Sequence, residues 1–180
     1  MKILRNVIKS DLILRTEKDY PVPGVEFIDI TPAILQKDAF EEIIDLFVKE
    51  IKKKKVDYII APEARGFLLG SAISYELGIG CVPIRKKGKL PPTTVAKTFD
   101  YEKEYGKDTL ELPKLVNDDY KDKRVYIVDD IYATGNTIKS IIKTIEGLGG
   151  NVIGAGCVVN IPALNNDKDV LSFIDINFWE

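Results

Sequence analysis

The sequence predicts an α/β fold: a parallel sheet flanked by helices on both faces. Three observations point there. Short apolar, β-branched runs recur along the chain, amphipathic helical stripes alternate with them, and the runs are apolar at consecutive positions, as in strands covered on both sides. The 180 residues fit one domain, 1–180, with room for a sizeable core. Neither an internal repeat nor a low-complexity linker divides it.

The elements follow in order. A helix is predicted over 38–54, because Phe40, Ile43, Ile44, Phe47, Val48 and Ile51 fall at helical spacing. Asp38 reads as its N-cap, and the basic run Lys52, Lys53, Lys54, Lys55 suits the negative end of the helix dipole. Strands are predicted at 56–61 (VDYIIA), 80–85 (GCVPIR), 124–128 (RVYIV) and 152–159 (VIGAGCVV). Helices are predicted at 66–77 and 136–148, the second striped by Ile138, Ile141, Ile142, Ile145 and Leu148. Segment 86–107 breaks the rhythm: it is polar, holds Gly and two prolines, and has no helical period. It reads as a long functional loop directly after a strand end, or as one that includes an antiparallel hairpin, since 93–99 is strand-like.

Composition narrows the chemistry. The chain has no histidine, which excludes a Ser/His/Asp triad, a Cys–His dyad and any His-ligated metal. Acid–base work falls to carboxylates, Lys, Tyr or the substrate. A formal net charge of −2 argues against a general nucleic-acid binder. Only five of the 26 basic residues are Arg, so each Arg is worth locating as a bidentate phosphate ligand. Cys81 and Cys157 sit in apolar runs and read as reduced core thiols. No apolar stretch has signal-peptide or membrane-span length, so a cytoplasmic protein is the expectation.

The strongest motif is 125–137, VYIVDDIYATGNT: an apolar strand, two carboxylates, a loop of small residues, then a helix. In an open α/β sheet, ligands bind at the carboxyl ends of strands. A small-residue loop entering a helix presents backbone N–H groups to an anion, and Thr134 and Thr137 add hydroxyls. The loop lacks the Lys-Ser/Thr ending of nucleoside triphosphatases. Asp129 and Asp130 are electrostatically wrong for a phosphate alone. They make sense as acceptors for neighbouring hydroxyls, as on a ribose, or more simply as acidic residues at a helix start.

This motif resembles the phosphoribosyl-pyrophosphate (PRPP) motif of the type I phosphoribosyltransferase family. The resemblance implies that fold, with a small N-terminal hood over 1–35 that recognises a base and a mobile loop over 86–107. It implies that Asp129 and Asp130 hold the ribose hydroxyls, and that Ala133, Thr134, Gly135, Asn136 and Thr137 hold the 5′-phosphate. Asn136 stands where the family often has Gly, so a slightly altered loop geometry is expected, carried by the tolerance of Asn for unusual backbone angles.

Further segments narrow the resemblance. Two arginines sit at carboxyl ends of predicted strands, in PEARGF (62–67) and IRKKGKLP (84–91). With PGVEFIDITP (23–32) and the EYG at 104–106, they are similar to adenine phosphoribosyltransferases over most of 20–159. That likeness implies a pyrophosphate site at Glu63, Ala64, Arg65, Arg85, Lys86 and Lys89, with Arg65 also catalytic. It implies adenine stacked on Phe27 and read by the backbone at Val25 and Glu26, and Glu104 as the loop acid. The spacing before EYG is two residues longer than in many relatives, which leaves Glu102 as a competitor, and Ile28 stands where some relatives have Arg.

The implied reaction is adenine plus PRPP giving AMP and pyrophosphate. Mg²⁺ is the expected cofactor, held through PRPP and water rather than by direct protein ligands, and the implied assembly is a homodimer in which the Arg85 segment reaches the partner's site. Another purine (hypoxanthine, guanine or xanthine) is the alternative within the enzyme class. A PRPP-sensing regulator is the alternative outside it, but it would need a basic surface or a spare module.

Overall fold

The computed structural model describes residues 1–9, 14–103, 106–116, 119–167 and 169–178. Five strands run parallel at its centre: β4 (Tyr58–Pro62), β5 (Gly80–Lys86), β8 (Arg124–Tyr132), β9 (Asn151–Asn160) and β10 (Val170–Asn177). Their order is β10-β9-β8-β4-β5. The chain therefore winds one way from β4 and the other way from β8, and the switch point lies between those two strands. The edges are antiparallel. β1 (Lys2–Asn6) pairs with β10, and the hairpin of β6 (Val95–Lys103) and β7 (Gly106–Pro113) pairs with β5. A separate two-stranded ribbon of β2 (Arg15–Lys18) and β3 (Glu26–Asp29) precedes the short helix α1 (Thr31–Leu35).

Each face of the sheet buries its own core. On one face α2 (Lys37–Ile51) presents Ile43, Phe47 and Ile51, and α3 (Arg65–Leu77) presents Leu69 and Ile73. These pack on Ile59, Tyr126 and Val158, and Phe47 meets Phe173 edge-on with centroids 4.7 Å apart. On the other face α4 (Asn136–Gly147) sets Ile138, Ile141 and Ile145 against Ile60, Val125 and Ile127. The strands between these layers are buried on both sides, as their continuous apolar runs require.

Several boundaries differ from the sequence reading. Asp38 is not the cap of α2: Gln36 holds the N-cap position without a side-chain hydrogen bond, and Asp38 sits in the first turn, where a carboxylate still suits the dipole. α3 stops where Gly78 turns left-handed at φ 67°. β8 runs on through Asp129 and Asp130 to Tyr132, so the carboxylates end a strand rather than begin a loop. Half of 86–107 lies in the paired strands β6 and β7, the second of the two readings open for it, which explains its missing helical period. Among the described residues, no helix is long and apolar enough to cross a membrane.

Candidate active site

The switch point opens a cavity of about 370 Å³ at the carboxyl ends of β4 and β8. Its wall unites residues far apart in sequence: Val25, Glu26 and Phe27 from β3 and its approach, Arg65 from the start of α3, Asp129 and Asp130 from β8, and the loop Ala133, Thr134, Gly135 with Asn136 and Thr137 of α4. Every residue expected to touch ribose, 5′-phosphate or base is therefore in one place.

The loop is shaped for an anion. Gly135 adopts φ 81° at the N-cap of α4, and a Cβ there would lie 2.2 Å from the Tyr132 hydroxyl, so only glycine fits. The N-cap Gly135 has no side chain to bond the first amides of α4, and the first-turn residues Asn136, Thr137 and Ile138 line the cavity. Asn136 differs from expectation. It opens α4 as an ordinary first helical residue, and the unusual backbone angle falls on Gly135 instead.

The carboxylate pair is electrostatically loaded. Asp130 is 7 % exposed and accepts a hydrogen bond from Arg65 Nε. The Asp130 amide donates to Asp129 Oδ1 at 2.9 Å. Loss of water around Asp129, then the neighbouring Asp130 charge, push the Asp129 carboxyl well above the usual carboxylate range. Burial disfavours the Arg65 charge, yet Asp130, Asp129 and Asp29 outweigh it and raise the Arg65 guanidinium above its ordinary value. Arg65 Cζ also sits 5.2 Å from the centre of the Phe27 ring. Phe27 is half-buried on the cavity wall, edge-on to Tyr20 at 5.1 Å, rather than packed in the core.

The remaining basic residues form a neighbouring group that does not line this cavity. Glu63 accepts from Arg85 Nε at 2.9 Å and from the Lys86 amide at 2.8 Å. Burial raises the Glu63 pKa, but these bonds outweigh it and hold the carboxyl below its usual range. Lys86 Nζ lies 3.8 Å from Asp108, and the Lys89 amide closes a turn onto the Lys86 carbonyl. The Glu63–Ala64 peptide joining this group to Arg65 is cis. Glu104 lies outside the described residues. Its competitor Glu102 is exposed on β6, 3.7 Å from Lys107 on the paired strand.

Sequence reasoning missed part of the wall. Tyr132, Ile161, Leu164 and Phe178 also line the cavity. The 161–167 segment follows the carboxyl end of β9, so its place beside a cavity was open to the same strand-end argument that singled out the 133–137 loop.

The phosphoribosyl transferase domain family matches residues 31–179. An adenine phosphoribosyltransferase of Clostridium acetobutylicum is 44% identical over 169 residues, covering 91% of this chain and 96% of that protein. A crystal structure of adenine phosphoribosyltransferase from Thermoanaerobacter pseudethanolicus superposes with a TM-score of 0.80 at 40% identity, covering 92% of this chain and 95% of that one. The Saccharomyces cerevisiae enzyme, solved with an imino-altritol bisphosphate and adenine, superposes at 0.76 with 33% identity, covering 89% and 93%. The chain matches these proteins over nearly its whole length, in sequence and in fold, and it belongs to the adenine phosphoribosyltransferases of the phosphoribosyl transferase domain family.

Proposed function

We propose that this protein transfers the 5-phosphoribosyl group of PRPP to adenine, giving AMP and pyrophosphate, the reaction of purine salvage. One observation carries the reading. A single cavity at the switch point holds a ribose-type carboxylate pair, an amide-lined phosphate loop, a cation and a flat aromatic face.

The chemistry follows from that arrangement. The bond from the anomeric carbon to pyrophosphate breaks, a bond to a purine nitrogen forms, and positive charge builds on the ribose in between. Asp129 and Asp130 accept hydrogen bonds from the ribose hydroxyls, with Asp130 fixed by Arg65. The amides of Ala133 to Thr137 and the hydroxyls of Thr134 and Thr137 take the 5′-phosphate. Phe27 stacks on adenine, and the backbone at Val25 and Glu26 reads its edge. Arg65 sits between base and ribose sites and stabilises charge on the leaving group as it develops. Lys86 and Lys89, with Glu63 and Ala64, extend that clamp toward the outer end of the pyrophosphate, and in a homodimer Arg85 supplies its charge to the partner's site. Glu104 handles the purine proton from the 86–107 segment, which closes against water.

Mg²⁺ fits the donor set. With Asp129 and Asp130 engaged by the ribose hydroxyls, the ion would be held through PRPP oxygens and water, the hard donors it prefers. The ion neutralises pyrophosphate charge when bound.

Assembly as a homodimer is supported by α3, which exposes Leu68 (52%) and Tyr75 (88%) one heptad apart on one side. Two unbridged cysteines fit a reducing cytoplasm. The test is direct: with Mg²⁺, PRPP and adenine, AMP should accumulate, and no AMP would overturn the reading.

A further inference from the structure

The phosphate loop is braced by a side-chain network that runs from Tyr132 of the PRPP motif to residues beyond it. The Tyr132 side chain is buried at 2 % exposure beneath Gly135, and its hydroxyl donates to Asp167 Oδ2 at 2.8 Å. The same Asp167 oxygen lies 2.7 Å from Lys139 Nζ on the first turn of α4, and Lys139 Nζ reaches the Thr134 carbonyl at 3.4 Å. Asn165 Nδ2 donates to the Ala133 carbonyl at 2.8 Å, while the Asp167 amide donates to Asn165 Oδ1 at 3.2 Å. The Ile161 amide closes the brace on the Tyr132 carbonyl at 2.9 Å.

A carboxylate this near a phosphate cradle needs a physical reason. Asp167 would repel a phosphate, and Lys139 cancels that charge. What Asp167 adds is an anchor for the Tyr132 hydroxyl, and through the ring, for Gly135. An amide cradle binds tightly only if its N–H groups are already aimed, because ordering them on binding costs affinity. The Lys139 and Tyr132 bonds hold the Asp167 carboxyl below its usual range, so the anchor stays ionised at neutral pH.

We infer that Tyr132 and Asp167 are positioning residues, joined through the Tyr132 hydroxyl, that pre-set the Ala133–Thr137 loop for the 5′-phosphate of PRPP and AMP. The inference rests on the proposed function above. Tyr132→Phe is the cleanest probe, since it keeps the buried ring and every charge and removes one hydroxyl. KM for PRPP and the dissociation constant of ribose 5-phosphate should rise about tenfold, with kcat within about twofold. Affinity for pyrophosphate and KM for adenine should stay unchanged, which a general loosening of the fold would not allow. Asp167→Ala alters a one-third exposed side chain and tests the same link should Tyr132→Phe fail to fold. Adding it to Tyr132→Phe should cost less than it does alone. An unchanged KM for PRPP in Tyr132→Phe, or additive losses in the pair, would overturn the inference. Absence of AMP with the unaltered protein would instead overturn the proposed function.

Discussion

Asp129 shows how this site trades stability for binding. Its carboxyl is desolvated beside Asp130, and its pKa is raised. A raised native pKa means the native state holds a proton that the unfolded state releases, so stability falls as pH rises from the ordinary carboxylate range through the native value. Asp129→Asn should therefore unfold at a higher temperature than the unaltered protein, with a gap that widens above acidic pH and closes below it. Thermal melts across pH would show this, and a lower melting point at neutral pH would contradict it. The same variant, and Asp130→Asn, should bind PRPP about tenfold more weakly, because each replaces a carboxyl oxygen that accepts from a ribose hydroxyl by an amide nitrogen that cannot. Calorimetric titration reads that loss, and unchanged affinity would remove the ribose role. Arg65 carries the opposite charge and should matter to rate: Arg65→Ala should lower kcat by about 10²–10³. A near-normal kcat would leave Arg65 only its structural bond to Asp130.

Among the elements, the β6–β7 hairpin is the one whose chemistry is most open to test. Glu102 is spoken for by Lys107 across the ladder and is 69% exposed. If Glu104 is the loop acid, Glu104→Gln should lose on the order of a hundredfold or more in turnover, the usual scale for a proton-transferring group, and Glu102→Gln little. The reverse order would move the role to Glu102. The hairpin also marks where the sequence became hard to read. The central strands β4, β8 and β9 announced themselves because both faces are apolar, β5 by its short apolar run from Cys81 to Ile84, and α2, α3 and α4 because their buried residues repeat at helical spacing. The edge strand β1, the interior strands β7 and β10 and the β2–β3 ribbon did not, and of the edge strand β6 only 93–99 read as strand-like. An edge strand has one wet side or a mixed face, so polar residues such as Lys97, Asp100 and Glu102 mask its period. Asp38 failed as a cap for a local reason: the preceding short α1 delivers the chain to α2 through Gln36, so the helix begins one residue earlier than the side-chain pattern implies.

For the whole molecule, winding order explains the site. Two segments 65 residues apart meet because β4 and β8 are neighbours at the switch point, which no local pattern encodes. The strand–DD–small-loop–helix motif made the phosphate end legible, and Arg65 was legible by its strand-end position. The bracing by Asn165 and Asp167 was not, since their role depends on the β9–β10 connection folding back under the loop. Assembly belongs to this scale too. If α3 forms the dimer contact, Tyr75→Glu should shift the mass in solution toward the monomer, as light scattering on a sizing column would report, and an unchanged dimer mass would place the contact elsewhere. The central claim is tested most directly by supplying Mg²⁺ and PRPP with adenine, hypoxanthine, guanine or xanthine and measuring pyrophosphate release. Release with adenine well above the other three is the predicted result; no release with adenine, or faster release with another purine, would contradict it.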